Sequence, residues 1–373
     1  MKRFLKIIIS LIVILLILVG IAYLIDQNKM ENGEPVIFST WGAKYAPIVQ
    51  TTKNTKLNIV LSLEDEISSN SAWCGTFNLI WNDLKNDLAK QDIVFTPQLE
   101  KVKNLNKGTF NTAYLSEESY YKVCDRPSLE LKAAIEKAIK DKFNETSDIL
   151  DDFDWNNVSE EDYFLYAMLK KNFEFPNEFS ELENDTFGKS ENVKYFGINE
   201  NTEEVVRDQV TVLYYNSSAD FAVKLVTKGN DEVIISRGNN EKSFGEMYQK
   251  ILERQKIYTG SRAFAKEDTL KIPNITFNLK EELTELENKP FLFSNGDEYY
   301  IEKALQTIQF ELDKKGGKIK SEAGMMVENI SSVANPQNPR EFIVNDTFTI
   351  FLKEKNKDLP YFASQISDIK QVQ

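Results

Sequence analysis

From about residue 160 onward, the sequence alternates short runs of aromatic and β-branched residues with polar turns, which is typical of β-strands. Two alternating runs flank "SSAD", and this arrangement predicts a β-hairpin. The end of the chain predicts two more strands joined by the polar turn "KEKNKD". The run "DTLKIPNITFNL" is expected to break at Pro273, because proline cannot donate a ladder hydrogen bond. Strands should therefore dominate the second half of the chain.

Helical patterns lie mainly in the first half. Apolar residues in "SAWCGTFNLIWNDLKNDLAKQ" are spaced by three and four, which predicts an amphipathic helix with one buried stripe. The stripe consists of Trp73, Phe77, Ile80, Trp81, Leu84 and Leu88. A second helix is predicted over residues 128–143 with Ser128 as its N-cap, and "SFGEMYQKILERQ" predicts a third. Helices early and strands later favour the α+β class, with helices packed on large mixed or antiparallel sheets.

Charge and composition exclude several classes of function. A formal net charge of −13 argues against a nucleic-acid partner, because phosphates require clusters of Lys and Arg. The chain contains no histidine, which removes Ser-His-Asp and Cys-His nucleophiles and histidine-ligated zinc. We therefore predict a protein that is not an enzyme and that has no catalytic residue, no cofactor and no metal site.

An acidic cluster follows the second predicted helix and consists of Asp148, Asp151, Asp152 and Asp154. It lacks the glycine turn and the distal glutamate of a calcium-binding EF-hand loop, so we interpret it as a solvated acidic turn. A carboxylate-based hydrolase that uses these acids is an alternative. No pair of them has a spacing that predicts the ~5 to 9.5 Å separation of glycosidase carboxylates.

The N-terminus resembles a membrane anchor. Lys2, Arg3 and Lys6 precede an uncharged apolar run from Ile7 to Ile25, which at 1.5 Å per residue is long enough for the ~30 Å hydrocarbon core. The basic flank predicts a cytoplasmic N-terminus and an extracytoplasmic remainder. This gives a flank of residues 1–6, a single-pass signal-anchor of residues 7–25, a polar linker of residues 26–34 and a folded domain of residues 35–373. A cleaved signal peptide is the alternative.

The chain has two cysteines, Cys74 and Cys124. In an oxidising extracytoplasmic space they could form a single disulfide. Two separate thiols in the core explain them equally well, because cysteine is among the most frequently buried residue types. The sequence leaves both arrangements open.

The segment "ELDKKGGKIKSEAGMM", residues 311–326, contains a strand-like run, a double glycine and a second alternating run. Gly316 and Gly317 should interrupt the strand, because glycine adds backbone entropy and no packing. With a period of two, one face carries Gly317, Ile319, Ser321, Ala323 and Met325, and the other carries Lys318, Lys320, Glu322 and Gly324. The second run can therefore bury one face without burying a charge. A plain surface hairpin explains the same alternation.

Four blocks between residues 160 and 370 resemble the serpin family of protease inhibitors. "YAMLKKNFEFPNEFSELENDTF" is similar to the strand written Asn-x-x-x-Phe-Lys-Gly-x-Trp-x-x-x-Phe, with Tyr166 at the Asn position and Asn172 at the Gly position. "DTLKIPNITFNLKEELTEL" resembles the "LPKF" strand with its "DLKxxLxxLG" helix, and "YYIEKALQTIQFELDKKGGK" resembles the strand that ends in the mobile hinge. "VNDTFTIFLKEKNKDLPYFASQIS" is similar to the closing hairpin.

The resemblance implies a serpin-like fold and a mechanism of inhibition. A protease cleaves an exposed loop, the hinge end of the loop inserts as a new strand in the central sheet, and the attached protease is distorted. The hinge residues would be Gly316, Gly317, Ile319, Ser321 and Ala323. The family has a run of small residues after its hinge glycine, and this chain has "KIKSEAGMM" instead, with the bulky Ile319.

The loop that a protease would cleave corresponds to "VENISSVANPQNPRE", residues 327–341. Counting from Gly316 as in the family places the scissile bond at Ile330-Ser331, and Arg340 is a further candidate for trypsin-like proteases. The sequence therefore predicts a membrane-tethered, extracytoplasmic serpin-like protein with a protease as its partner. A non-inhibitory binding or sensing ectodomain, on a serpin-like or another α+β scaffold, is the alternative.

Overall fold

Three large sheets and two two-stranded ladders make up the β-structure of residues 49–50, 57–319 and 339–373, which are the residues that the computed structural model describes. The five-stranded sheet contains, in spatial order, β1 (Val49–Gln50), β13 (Ile275–Glu282), β16 (Leu305–Asp313), β17 (Gly316–Ile319) and β6 (Lys171–Glu174). The seven-stranded sheet contains β2 (Leu57–Ile59), β3 (Asn70–Cys74), β20 (Phe362–Ile366), β19 (Phe348–Glu354), β11 (Asp231–Arg237), β10 (Asp220–Val226) and β9 (Val210–Ser217). The four-stranded sheet contains β18 (Glu341–Ile343), β12 (Thr269–Pro273), β8 (Ser190–Ile198) and β7 (Ser180–Phe187). The two ladders pair β4 (Tyr120–Asp125) with β5 (Phe164–Leu169), and β14 (Pro290–Leu292) with β15 (Glu298–Tyr300).

Helices are fewer than strands in these ranges. The α-helices are α1 (Thr76–Asp83), α2 (Glu100–Asn106), α3 (Leu129–Phe143), α4 (Glu204–Arg207) and α5 (Phe244–Ile257). A π-helical segment, Leu84–Ala89, continues α1, and 3₁₀ turns form at Thr112–Tyr114, Glu117–Ser119, Leu150–Asp152 and Ile369–Gln371. The predicted α+β class is confirmed, since antiparallel pairs dominate and one parallel pair in each large sheet, such as β12 with β18, makes all three of these sheets mixed.

Several predicted elements form as expected, because their local signals agree with their tertiary surroundings. The "SSAD" turn joins β9 to β10 as an antiparallel hairpin, and β12 ends at Pro273 before β13 begins in another sheet. The predicted second helix is α3, in which Ser128 Oγ accepts a 3.0 Å hydrogen bond from the amide of Leu131. The helix ends at Asn144 in the left-handed conformation.

The first predicted helix begins later than its apolar stripe suggests. Trp73 belongs to the strand β3, where it lies opposite Ala363 of β20, so it is a core residue of a sheet and not of a helix. The change from strand to helix occurs at Gly75, where an added Cβ would come within 2.1 Å of the Phe110 ring. The ladder of the seven-stranded sheet therefore overrides the helical spacing at this point.

Strand β5 is covered on both faces, and this defines the surroundings of the candidate site. Phe164 and Tyr166 pack with α3 in a small separate core cluster, and Leu169 belongs to the main core together with Phe77 of α1. Side chains alternate along a strand, so α3 covers one face of β5 and α1 covers the other.

Two sequence expectations concern the compartment. Cys74 lies in β3 and Cys124 in β4 as free thiols, and burial raises the pKa of both, that of Cys124 to about 11. No helix in the described part of the chain is long and apolar enough to span a membrane. The predicted signal-anchor of residues 7–25 lies outside that part, as do the flank and the linker.

Candidate functional site

The double glycine begins a short strand that joins two other strands. Strand β17 is antiparallel to β16 on one side and to β6 on the other. Gly317 lies opposite Leu312 and Phe173, and Ile319 lies opposite Lys171. The run after the glycines is therefore paired in the large sheet as far as Ile319.

Glycine is required at both positions because neighbouring backbone is too close for a side chain. Gly316 has φ = +149°, and a Cβ there would lie 2.0 Å from the carbonyl oxygen of Phe173. A Cβ on Gly317 would lie 2.4 Å from the Phe173 ring and 2.4 Å from the carbonyl oxygen of Glu311. The two glycines thus allow a tight turn and a close strand pair instead of only ending a strand.

The face of Gly317 follows from its partner. Residues directly opposite in an antiparallel pair share one face, and Leu312 is buried in the core, so Gly317 is on the inward face. This agrees with the face that period two predicts for Gly317. Of the other predicted site residues, Ser321, Ala323, Ile330 and Ser331 lie outside the described ranges.

Beyond Ile319, no strand of the described part of the chain pairs with the facing edges of β5 and β16. Among the described residues, β5 pairs only with β4, and β16 pairs with β17 only through residues 311–313. A cleft of about 750 Å³ lies between them, lined by residues 163–169 on one side and by residues 304–307 on the other. The edges of two strands therefore border the same cavity, in line with β17.

The inner wall of this cleft is apolar. It is formed by α1 and the π-helical segment through Phe77, Ile80, Trp81, Leu84 and Leu88. Gln306 in the β16 wall is 4% exposed, and its Nε2 donates to the carbonyl oxygen of Cys74 at 3.1 Å. Its Oε1 has no hydrogen-bond partner in the described part of the chain. The wall thus holds one unsatisfied buried acceptor.

The predicted acidic turn lies along the outer side of the cleft. Lys280 of β13 donates to the carbonyl oxygen of Asp148 at 2.8 Å and to the carboxylate of Asp152 at 2.5 Å. Lys132 of α3 pairs with Asp151 at 2.6 Å. Residues 57–319 and 339–373 contain no cluster of three or more acids or cysteines arranged to hold a metal ion. Lysine pairing, which the sequence reasoning did not predict, stabilises this turn.

A buried ion network lies where β17 meets β6. Lys171 is 4% exposed, and its Nζ lies 2.8 Å from Asp231 and 2.7 Å from Glu354. Tyr361 donates to Asp231 at 3.0 Å, and Ser119 donates to Glu354 at 3.0 Å. The network ties β6 to strands β11 and β19 of the seven-stranded sheet and to Tyr361, the residue before β20.

The pKa values of the two carboxylates in this network shift in opposite directions. Burial raises the pKa of Asp231, against the opposing attraction of Lys171. Burial also acts to raise the pKa of Glu354, but Lys171 and the hydrogen bonds from Ser116 outweigh it, and this pKa is lowered. Lys171 therefore opposes the effect of burial on the pKa of both carboxylates at this junction.

Lys171→Met should destabilise the protein by about 3–5 kcal/mol at pH 7, because it leaves two buried carboxylates without a cation. Without Lys171, both carboxyl groups should have folded-state pKa values above their unfolded-state values of about 4. An acid with a raised folded-state pKa favours folding only while it is protonated, so the variant should lose further stability as the pH rises from about 4 to 7. Urea unfolding at a series of pH values measures this.

The matched control is Lys228→Met, because Lys228 pairs with Glu174 at 2.8 Å on the surface and both side chains are more than half exposed. It should change the free energy of unfolding by less than about 1 kcal/mol. Equal effects of the two substitutions would contradict the role given to Lys171.

Arg340 was a candidate scissile residue, and its place in the structure is incompatible with that role. It is 5% exposed, and its guanidinium binds Asp268 at 2.6 Å. The remaining donors reach Tyr258 Oη and the carbonyl oxygens of Ser261 and Ala263. All five guanidinium N–H groups are therefore used, and a protease cannot take this side chain without breaking a buried ion pair.

Arg340→Met should cost about 3–5 kcal/mol in the free energy of unfolding, because the carboxylate of Asp268 stays buried without its cation. Combining it with Asp268→Asn should cost clearly less than the sum of the single changes. Arg262→Met, an exposed arginine on the same turn, is the control and should have little effect. Additive effects of Arg340→Met and Asp268→Asn in urea unfolding would show that the pair is not coupled.

Comparison with known proteins gives structural neighbours and no sequence match. No protein-family model matches the chain, and no curated protein matches it. It is similar to Serpin48 of the insect Tenebrio molitor (13% identity, 81% of this chain and 92% of that chain, TM-score 0.44). It is also similar to SRPN18 of Anopheles gambiae (10%, 80% and 92%, 0.47) and to thyroxine-binding globulin in complex with thyroxine (11%, 80% and 93%, 0.45). These neighbours are serpins, the family that the sequence blocks resemble.

Some residues of the site were not predicted. Lys171 shares the strand parity of Leu169 and Phe173, both buried. A lysine among inward-facing apolar residues is a signal of a buried ion pair, and the alternation in "YAMLKKNFEF" could have revealed it. The partners Asp231, Glu354 and Asp268 are far away in sequence, and no local pattern identifies them.

Proposed function

We propose that this chain is a membrane-tethered, extracytoplasmic serpin-like protein that inhibits proteases by loop cleavage and strand insertion. One observation carries the proposal. Strand β17 lies between β16 and β6, and the cleft of about 750 Å³ continues along the same line between β16 and β5. Among the described residues, the sheet therefore has a strand position that is filled only as far as Ile319.

The register supports the fit of the following segment to this cleft. Continuing the pairs of β17 would bring Ser321 opposite Ile308 and Leu169, and Ala323 opposite Gln306 and Ala167. Ile308, Gln306 and Leu169 are buried, so Ser321 and Ala323 would face inward. Small inward side chains suit a position that must fit against the apolar wall of α1. Insertion would also add a row of backbone hydrogen bonds on two strand edges.

The bond Ile330-Ser331 is the proposed scissile bond. Burial of Arg340 favours it over a cut at Arg340, because Arg340 holds the far end of the segment against Asp268. Cleavage between Ile319 and Arg340 would free the hinge end to enter the cleft while residues 339–373 keep their place in the sheets. A protease that accepts an aliphatic residue is the expected partner.

The test compares the protein before and after a protease nicks residues 320–338. A marked gain in thermal melting temperature and a covalent protease complex that survives denaturant are expected of the parent. Ser321→Glu should abolish the gain in melting temperature, because burying an unpaired carboxylate costs several kcal/mol.

Lys320→Glu is the matched control, because it changes the charge of the neighbouring residue on the outward face. It should keep the full gain in melting temperature. If the cleaved parent is no more stable than the intact protein, the inhibitory mechanism is excluded. If Lys320→Glu and Ser321→Glu behave alike, the assignment of faces is wrong.

A non-inhibitory binding or sensing ectodomain is the second candidate. The observation that favours it is the wide, aromatic-lined cleft itself, together with Ile319 at a hinge position where the family has small residues. In that case, cleavage would leave the melting temperature unchanged, and the cleft would still bind a ligand.

The membrane location rests on the N-terminal sequence. The basic flank of residues 1–6 and the apolar run from Ile7 to Ile25 support a signal-anchor with the N-terminus in the cytoplasm. In this arrangement, the linker of residues 26–34 would hold the inhibitory domain close to the membrane surface.

A further inference from the structure

One end of the cleft is an aromatic chamber. Its lining includes side chains from two separate segments, the residue before β5 and the hairpin β14–β15. These aromatic residues are Tyr163, Phe293 and Tyr299. Phe293 and Tyr299 stack with their ring centroids 4.0 Å apart, and Tyr163 lies within 6.4 Å of both. The chamber thus presents ring faces and edges that suit an apolar or aromatic guest.

The cleft that contains this aromatic chamber is also lined by acidic side chains. Those that line the same cleft include Asp148, Asp154, Asp162, Asp297, Glu298 and Glu302. Among the described lining residues, Lys303 is the single basic one, and it lies 3.6 Å from the carboxylate of Glu282. The electrostatic potential at the mouth is therefore negative and favours a cation.

The chain already places a cation of its own on one of these rings. The guanidinium of Arg126 lies 3.9 Å from the centroid of the Tyr163 ring and donates to the carbonyl oxygen of Asp162 at 3.0 Å. The Tyr163 ring and the carbonyl oxygen of Asp162 therefore stabilise a positive charge at the mouth of the cleft. Arg126 covers one face of the Tyr163 ring, so Phe293 and Tyr299 are the rings of the chamber that a ligand could contact.

We propose that the cleft binds an amphipathic ammonium ligand, with an apolar or aromatic body in the chamber and the ammonium group at the acidic mouth. The volume of about 750 Å³ lies in the range of small-molecule sites. Gln306 supplies a second, independent feature, because it lines the cleft and its buried Oε1 is an acceptor without a partner in the described part of the chain. Binding does not depend on the proposed inhibition of proteases.

Dansylcadaverine is a suitable probe, because it joins a naphthalene body to a primary ammonium group. Its N-acetyl derivative keeps the body and loses the charge. The full-length protein in phosphatidylcholine nanodiscs is dialysed to equilibrium against each probe, with empty nanodiscs as the blank. Dansylcadaverine should bind at least about tenfold more tightly, and the preference should shrink at 1 M salt, where the Debye length is only ~3 Å.

Two charge variants locate the site. Glu298→Gln with Glu302→Gln should remove most of the preference for dansylcadaverine, because both exposed acids line the cleft. Glu241→Gln with Glu253→Gln makes the same change in net charge at exposed positions outside it and should leave the preference intact. Tyr299→Ala should weaken both probes by a similar factor.

The outcomes that overturn the proposal are specific. Equal affinity for the two probes would show that no ammonium group is recognised. Equal loss in the two double variants would show that the acidic surface as a whole attracts the probe and that the cleft does not. Melting curves of all variants establish that each one is folded, and loss of binding in a folded Tyr299→Ala variant is required for the chamber to be the site.

Discussion

Hydrogen bonding of β17 to two strands at once is the interaction on which the arrangement of the large sheet depends. Strands β16 and β6 run parallel to each other, and an antiparallel strand between them joins the two parts of the sheet. Only glycine fits at these two positions, because an added Cβ would lie 2.0 Å from the carbonyl oxygen of Phe173 at Gly316 and 2.4 Å from the Phe173 ring at Gly317. The cleft therefore begins beyond Ile319, where the pairing of β17 ends among the described residues.

Buried charges fix both ends of the segment between Ile319 and Pro339. Lys171 secures β6 beneath one end, and Arg340 secures the other end against Asp268. Burying such pairs requires desolvation of both charges, so they add little net stability compared with apolar packing. Removing one partner, however, strongly destabilises the folded protein. They therefore favour one arrangement of the chain ends over alternatives more than they raise overall stability.

Much of the fold could be predicted, because the hairpin of β9 and β10, the helix α3 and the break at Pro273 carry strong local signals. The inward face of Gly317 followed from period two alone. Trp73 could not be assigned correctly, because its helical spacing was overridden by pairing with β20. Arg340 was a candidate scissile residue because no local pattern identifies the distant aspartate with which it is buried. The cleft itself depends on which strands remain unpaired across the sheet, and local sequence does not encode that.

The position of the last strands has a consequence for a molecule cut at Ile330-Ser331. Residues 339–373 contribute β18 to the four-stranded sheet and β19 and β20 to the seven-stranded sheet, where β19 lies between β11 and β20. The carboxyl-terminal fragment would therefore stay bound without a covalent link, because its strands pair within two sheets. The nicked protein would remain one particle made of two polypeptides.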